Sequence, residues 1–321
     1  MTPRDDARAP LPDAATPAAT LQPQEPLLPD RLIRPPFRLL AITPPTGPVP
    51  ADSLEPWLAG GAATPGIAVL LREPGRDPTE LLRADGRLAP LRRRCRAVGI
   101  PLLLSVDLAE LRAMPGLPAD LAGLHLRGDP DPDALPAARE RLAALAWSVP
   151  EDLSREPDGR GAAPFRTDPS ADAPRTWPAP PSDTPRSRSP PPDGPIPRGP
   201  STRLLGRSCH GIPQPGHTSV DYTLVAPIFA PTTGQPGRPA GSKVPAGLVA
   251  LRAWTREPGA RVFALGGVGP ATAAACLAAG ADGLAGIGVF FGEPARVAQD
   301  VAALCDRLAA HARHVEPVSP P

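Results

Sequence analysis

The sequence predicts a (β/α)8 barrel, the TIM-barrel architecture, interrupted by one long proline-rich insertion. Eight short runs of Leu, Val and Ile alternate with segments of helical periodicity, and seven of the eight are followed by such a segment. Strands that are buried on both faces read as continuous apolar runs, as parallel barrel strands do. The predicted strands lie at 38–44, 66–73, 101–107, 123–128, 203–211, 222–229, 261–268 and 283–291. A doubly wound open sheet is the alternative.

Two proline-rich segments bracket the first half of this pattern. Of the 52 prolines in 321 residues, nine fall in residues 1–36 and fifteen in residues 150–200. Such segments cannot bury enough apolar surface to offset the entropy of ordering them. We therefore predict a disordered N-terminal tail at 1–36, barrel segments at 37–147 and 203–314, a disordered insertion at 148–202 between the fourth helix and the fifth strand, and a tail at 315–321. We interpret the insertion as a tolerated disordered segment, with docking of a proline-recognising partner as the alternative.

The helical segments vary in length. The long amphipathic segment PTELLRADGRLAPLRRRCRAVG, at 78–99, predicts one helix. Between His210 and Tyr222 the sequence GIPQPGHTSVD has two prolines and two glycines where the fifth helix belongs, so this helix is predicted to shorten to a loop. Without the N-terminal tail and the insertion, the chain has roughly the 250 residues usual for this fold, or slightly fewer.

Charge and composition argue against two classes of partner. The 34 basic and 33 acidic side chains nearly cancel and only 3% of residues are aromatic, which excludes the basic field and the stacking platform typical of nucleic-acid binding. No stretch of about 18 apolar residues could cross a membrane. The N-terminal 20 residues lack the apolar core of a secretory signal, which predicts the cytoplasm. The cysteines are too widely spaced for a CxxC pair and are predicted to be mostly free thiols: Cys95, Cys209, Cys276 and Cys305.

Two glycine clusters predict a phosphate site. Gly266 and Gly267 end the seventh predicted strand directly before a helix, and Gly286 and Gly288 lie at the corresponding end of the eighth. Glycines let an anion approach backbone N–H groups, and the loops after strands seven and eight are the usual phosphate position of this barrel. A tight strand-to-helix turn without a ligand is the alternative interpretation.

The same stretches resemble a known family. The segments GRSCHG, DYTLVAPIFAPTTG and RVFALGGVGPATAAACLAAGADGLAGIGVFF are similar to the thiamine phosphate synthase and TenI-like family, in which G-x-S-x-H ends strand five and G-P-[IV]-F/Y with following Thr residues ends strand six. The first half matches more weakly, through LLAIT, LLRE, VDLA and GLHL. The resemblance implies a TIM barrel that binds a small-molecule thiazole phosphate. It adds Thr232, Thr233 and Lys243 to the phosphate-binding candidates, although the loop before Lys243 is longer than the family pattern.

The departures from the family concern the metal. The synthases join a pyrimidine methyl diphosphate to a thiazole phosphate and hold the leaving pyrophosphate with Mg²⁺ and basic side chains. The family's Q-x-R-x-K pattern keeps only Arg72 here, and its Asn-Asp pair reads Leu103 and Leu104. Since leucine cannot ligate a hard cation, the remaining metal candidates are Asp129 and Asp131, and only if the synthase interpretation holds.

Proton transfer fits the remaining residues better. The TenI-like branch, similar to the aminothiazole tautomerases, isomerises a thiazole carboxylate phosphate and needs no metal or other cofactor. Arg72 could pair with the substrate carboxylate, and His210 could move the proton because an imidazole titrates near neutral pH. His125 is expected at the barrel rim, and Cys209 is not expected to form a nucleophile pair with its neighbour His210.

Three hypotheses therefore remain at this point. The first is tautomerase-type proton transfer, and the second is thiamine phosphate synthesis with Mg²⁺. The third is a catalytically silent barrel that binds a phosphate ligand or a partner. A homo-oligomer is compatible with all three.

Overall fold

The chain folds into a closed barrel of eight parallel strands. The computed structural model describes residues 35–47, 49, 51–63, 66–145, 147–148, 203–213, 219–230, 244–259 and 261–315. The strands are β1 (Leu39–Ile42), β2 (Ile67–Leu71), β3 (Leu102–Val106), β4 (Leu121–Leu126), β5 (Leu204–Cys209), β6 (Tyr222–Val225), β7 (Arg261–Ala264) and β8 (Gly283–Gly286). Each strand pairs with its neighbours in sequence, and β8 pairs with β1. The predicted barrel is confirmed, and every strand overlaps the apolar run that predicted it.

Helices follow the strands on the outside. They are α1 (Leu54–Ala59), α2 (Pro78–Leu81), α3 (Ala89–Ala97), α4 (Leu108–Ala113), α5 (Leu135–Ala144), α6 (Gly247–Trp254), α7 (Ala273–Ala278) and α8 (Pro294–Val315). None of the helices that the structure describes is long and apolar enough to cross a membrane. The residues described between β5 and β6 contain no helix.

The helix predicted over 78–99 is instead two helices, α2 and α3. The turn between them contains Asp85 and Gly86. Pro90 lies in the first turn of α3, where its missing N–H costs nothing. The amphipathic pattern continues across the break, but the turn-forming residues Asp85 and Gly86 separate the two helices.

Alternation along the strands separates the apolar side chains into two layers. The inward layer fills the barrel and consists of Phe37, Leu40, Ile42, Ala68, Leu70, Leu103, Leu204, Tyr222, Leu224, Phe263 and Ala285. Outward side chains such as Val69 and Leu104 pack beneath the helices. Phe37 precedes β1 and covers the amino end of the barrel interior, since its ring centroid lies 6.0 Å from that of Tyr222 and 5.6 Å from that of Phe263.

Buried polar groups stabilise the amino ends of the strands. Asp221, directly before β6, is 2% exposed, and its Oδ2 accepts hydrogen bonds from the Leu205 backbone N–H at 2.7 Å and from Arg139 at 2.9 Å. Arg203, directly before β5, donates to the carbonyl of Leu142 in α5 at 2.8 Å. The chain therefore re-enters the barrel beside the helix from which the insertion departs.

The predicted tail and insertion lie outside the described residues except at their edges. At one of these edges, Trp147–Ser148 forms a two-residue strand that pairs with Leu117–Pro118.

Candidate active site at the barrel mouth

The carboxyl ends of the strands, called the barrel mouth here, carry a row of polar residues. Arg72 directly follows β2, Ser105 lies in β3 and His125 lies in β4. The strand register aligns these three side by side. Gly206 of β5 pairs with His125, so Ser208 is the next inward position along β5. Four adjacent strands thus bring a cation, two hydroxyls and an imidazole into one part of the interior.

His125 lies inside the barrel, so its predicted place at the rim is wrong. The residue is 1% exposed, and both ring nitrogens have partners: Nδ1 lies 3.1 Å from the Tyr222 hydroxyl and Nε2 lies 2.9 Å from Ser208 Oγ. Burial, and next the charge of Arg72, lowers the pKa of His125 from 6.5 to about 3. The ring is therefore neutral at physiological pH and does not serve as a titrating base.

Tyr222 lies beneath this histidine. Its ring stacks on His125 with centroids 5.5 Å apart, and burial raises the pKa of its hydroxyl well above 10. Gly206 makes room for the ring, because a Cβ at this position would lie 2.0 Å from the ring carbon Cζ of Tyr222. The glycine of the G-x-S-x-H segment is thus needed for packing inside the barrel.

Arg72 presents a cation that has no partner among the described residues. Its backbone N–H donates to Thr43 Oγ1 at 2.8 Å, which fixes the end of β2 against the end of β1. Its partly buried guanidinium makes no hydrogen bond or ion pair within the described part of the chain, and burial, with a smaller effect of Arg127, lowers its pKa. Ser105 Oγ, its neighbour in the row, is also buried without a described partner. These two groups leave capacity for a polar ligand.

His210 follows β5 and is exposed. Its Nδ1 is in hydrogen-bond contact with the carbonyl oxygen of Ala226, and its backbone N–H donates to Asp129 Oδ2 at 3.4 Å. A carbonyl can only accept, so Nδ1 carries the hydrogen and Nε2 of the neutral ring is left with its lone pair. Cys209 beside it is fully buried, and burial raises the pKa of the thiol to about 12. The burial of Cys209 and the raised pKa of its thiol both disfavour a nucleophile pair with His210.

Two of the four predicted phosphate glycines occupy turns that require glycine. Gly266 and Gly267 have φ angles of +92° and +63°. A Cβ would lie 2.6 Å from Pro227 Cβ at Gly266 and 2.7 Å from Phe229 Cβ at Gly267. The loops after β6 and β7 therefore approach each other closely.

Free backbone donors remain at the ends of β7 and β8. Within the described residues, the N–H groups of Gly267, Val268 and Gly288 donate to no carbonyl. Gly286, the last residue of β8, precedes the turn in which Phe290 and Phe291 donate to the carbonyl of Ile287. Thr232, Thr233 and Lys243 lie outside the described residues.

The described residues near the predicted metal position offer no set of free oxygen ligands for magnesium. Leu103 and Leu104 are fully buried. The nearby carboxylates Asp107 and Glu110 form the capping box of α4, and both pair with Arg127. Hard cations need oxygen ligands that are free to converge.

Both predicted aspartates after β4 accept hydrogen bonds from backbone N–H groups. Asp131 Oδ1 accepts the backbone N–H of Asp133 at 3.0 Å, and Asp129 contacts His210. No group of three His, Cys, Asp or Glu side chains within the described residues could hold a metal ion.

Sequence reasoning missed three polar residues of the interior. Ser208 was signalled by the G-x-S-x-H segment and Ser105 by strand alternation, but nothing local distinguished Tyr222 from an apolar core residue. Arg207, on the outward side of β5, was also missed. It is fully buried over the Trp254 ring at 4.9 Å, and none of its guanidinium nitrogens has a hydrogen-bond partner among the described residues.

Comparison with known proteins gives matches in the second half of the barrel. The family model described as thiamine monophosphate synthase matches residues 198–290. A curated thiamine-phosphate synthase from Chloroflexus aurantiacus is 40% identical over 86 residues, which are 26% of this chain and 38% of that protein. The chain thus matches well under half of that relative's length.

Solved structures with a similar arrangement include two thiamine phosphate pyrophosphorylases. That of Pyrococcus furiosus has a TM-score of 0.48 and 16% identity, covering 86% of this chain and 96% of that one. That of Bacteroides thetaiotaomicron has a TM-score of 0.38 and 14% identity, covering 85% and 98%.

The family match begins before β5 and ends after β8, and so contains the glycine turns and His210. The first half of the barrel lies outside it. The second half of the barrel is therefore similar to the thiamine monophosphate synthase family.

Proposed function

We propose that this protein binds a thiazole phosphate and isomerises it by TenI-like proton transfer, as a step of thiamine biosynthesis. One observation carries the choice of reaction: the mouth combines Arg72, a cation with no partner among the described residues, with the imidazole of His210, whose Nε2 has no described partner, while Asp107 and Glu110 are paired with Arg127. Transfer of a proton needs the first two groups and not the third.

The phosphate is assigned to the ends of β7 and β8. Three backbone N–H groups there have no described acceptor. The positive-φ turn at Gly267 requires glycine, so no side chain at this position blocks the approach of an anion to the backbone. Thr232, Thr233 and Lys243 are proposed to complete this site, as the family pattern implies.

Arg72 is proposed to pair with the substrate's carboxylate. A guanidinium binds a carboxylate through two parallel N–H···O bonds, which holds the thiazole ring in one orientation. Its cationic charge also stabilises negative charge that develops on the substrate when a proton leaves. His210 Nε2 then accepts the proton and returns it to the other ring position, so the enzyme is unchanged after each turnover.

Thiamine phosphate synthesis is the alternative, since the matched family model and the curated relative carry that activity in their descriptions. It would require Mg²⁺ and a further source of positive charge for pyrophosphate. A silent barrel that only binds a phosphate ligand is the third possibility.

A product assay separates these functions. The purified full-length protein is incubated with thiazole carboxylate phosphate, with or without the pyrimidine diphosphate, and with either EDTA or Mg²⁺. We expect the tautomer to convert in EDTA at the same rate as in Mg²⁺. Coupled thiamine phosphate that appears only with Mg²⁺ would overturn the tautomerase proposal, and no conversion under any condition would favour the silent barrel.

A histidine variant tests the assigned base. His210→Asn removes the proton acceptor and keeps a side chain that can bond Ala226, so turnover is expected to fall roughly a hundredfold or more, as for loss of a general base, while phosphate binding persists. His311→Asn, on α8, is the matched control and is expected to retain the wild-type rate.

A further inference from the structure

A hydrogen-bonded chain runs from the barrel core to its mouth. Tyr222 is fully buried, its hydroxyl lies 3.1 Å from Nδ1 of His125, and Nε2 of the same ring lies 2.9 Å from Ser208 Oγ. His125 is also enclosed, whereas Ser208 is partly exposed. Three side chains from three adjacent strands thus connect a closed interior to the site.

The proton count along this chain fixes its direction. The hydroxyl of Tyr222 keeps its hydrogen and the ring of His125 is neutral, so the ring has one N–H to donate. Within the described residues, His125 is the only hydrogen-bond partner of the Tyr222 hydroxyl. If the ring donated to Tyr222, the tyrosine hydrogen would be buried without an acceptor, which is costly. The favoured order is therefore Tyr222 to Nδ1, then Nε2–H to Ser208 Oγ.

This order leaves the Ser208 hydrogen without an acceptor among the described residues. Its oxygen already accepts from the ring, so the hydroxyl is free to donate towards the mouth. We propose that Tyr222 and His125 are positioning residues that hold Ser208 as a hydrogen-bond donor to an anionic oxygen of the ligand. This inference rests on the proposed function, and it adds the group that selects for a carboxylate.

The carboxylate is the ligand group that this arrangement recognises. Arg72 lies in the same row as His125, two strands away, and has no described partner. A carboxylate can accept hydrogen bonds from the guanidinium and from Ser208 together, whereas an ammonium at the same place would be repelled by the cation of Arg72. The row therefore selects for an anionic group by charge and by its two donors.

The first test needs no ligand. In a long-range ¹H–¹⁵N spectrum of the labelled full chain, His125 is expected to be protonated at Nε2 and bare at Nδ1, and His210 to show the opposite tautomer. Assignment uses the spectra of His125→Gln and His210→Asn. An Nδ1–H tautomer at His125 would overturn the proposal whatever the protein catalyses.

The second test measures selectivity with two probes, a thiazole phosphate with the ring carboxylate and the same compound without it. Ser208→Ala is expected to weaken binding of the first by about 10- to 100-fold, the range for a hydrogen bond to a charged group, and to leave the second unchanged. Tyr222→Phe, which cannot touch the ligand, is expected to lose about three- to tenfold in the same direction. Phe263→Leu repacks the ring beside Tyr222 and should not change the ratio.

The double variant decides whether Tyr222 acts through Ser208. If it does, Tyr222→Phe has no further effect on selectivity once Ser208→Ala is present. Additive losses, or equal losses for both probes, would reduce Tyr222 to a packing role and overturn the proposal. Failure of the wild-type protein to bind either probe would instead overturn the proposed function, while the tautomer of His125 would still decide the direction of the chain.

Discussion

Gly267 shows at the level of one residue how a backbone requirement and a ligand site can coincide. Its φ of +63° and its approach to Phe229 require glycine regardless of any ligand. The strand-to-helix turn therefore accounts for the glycine, and only the unused N–H groups of this loop point to an anion. A test of the phosphate site must separate these two roles.

We predict that Gly267→Asp lowers thiazole phosphate affinity by more than tenfold beyond the loss in Gly267→Ala. Both variants introduce the same Cβ, but only the aspartate adds a charge, and like charges about 4 Å apart repel by roughly 4 kcal/mol at an effective dielectric of 20. Calorimetric titration of both variants provides the comparison. Equal affinities for the two would place the phosphate elsewhere.

His125 links the stability of the fold to pH. Its pKa is lowered from 6.5 in the unfolded chain to about 3 in the folded one, so between these values the unfolded chain binds more protons at this residue. The free energy of unfolding is therefore expected to fall as the pH drops from 6.5 towards 3, and His125 contributes no pH dependence above that window. We predict that His125→Gln flattens this part of the stability curve, measured by urea unfolding at several pH values.

The control for this prediction is His311→Gln on α8, which should leave the slope as in the wild type. The free energy of unfolding of His125→Gln is expected to be lower than that of the wild type at every pH, because the glutamine side chain differs in shape from the imidazole. Only the slope tests the assignment, and a slope equal to that of the wild type would contradict it.

A close contact between Gly206 of β5 and the ring of Tyr222 of β6 links these two neighbouring strands. The Tyr222 ring occupies the space that a side chain at Gly206 would need. We predict that Gly206→Ala destabilises the protein by roughly 1–3 kcal/mol, the usual cost of overpacking a core, and weakens the contact between Tyr222 and His125. Urea unfolding measures the first effect, and the His125 tautomer reports the second.

Gly269→Ala is the matched control, since a Cβ there would meet nothing within 4 Å. It is expected to change the free energy of unfolding by a few tenths of a kcal/mol at most, as most surface substitutions do. A similar loss in both variants would show that the alanine at position 206 is not specifically overpacked.

The helices show where local sequence stops being sufficient at the element scale. The amphipathic period over 78–99 is present, yet the chain forms α2 and α3 with a turn between them. Asp77 accepts the N–H of Thr79 at 2.8 Å and so caps α2, while Pro90 lies in the first turn of α3. A hydrophobic period indicates which side is buried, but helix ends depend on which backbone groups find partners.

For the whole molecule, we predict that the barrel does not need the insertion. Arg203 contacts Leu142, so the chain leaves and re-enters at neighbouring points on the amino side of the strands, away from the mouth. Replacing residues 152–200 with a short Gly/Ser linker is expected to leave the Tm within a few degrees and turnover unchanged. Loss of folded protein after this deletion would show that the segment belongs to the fold.

The sequence by itself determined the barrel and the order of its strands. These follow from local signals, because apolar runs, turn residues and motif spacing are all contained within short stretches of chain. His210 was predicted to follow β5 and Arg72 to end β2, and both lie at the mouth.

Tertiary structure alone decided which polar groups meet. Tyr222 and Ser208 contact His125 across 97 and 83 positions of sequence, and barrel closure and strand register set that distance to a hydrogen bond. Burial then makes His125 a neutral ring in the interior, where the pattern had suggested a rim residue. In the same way Arg127 is paired while Arg72 has no partner in the part of the chain that the structure describes, because only the packed strands determine which carboxylates each cation can reach.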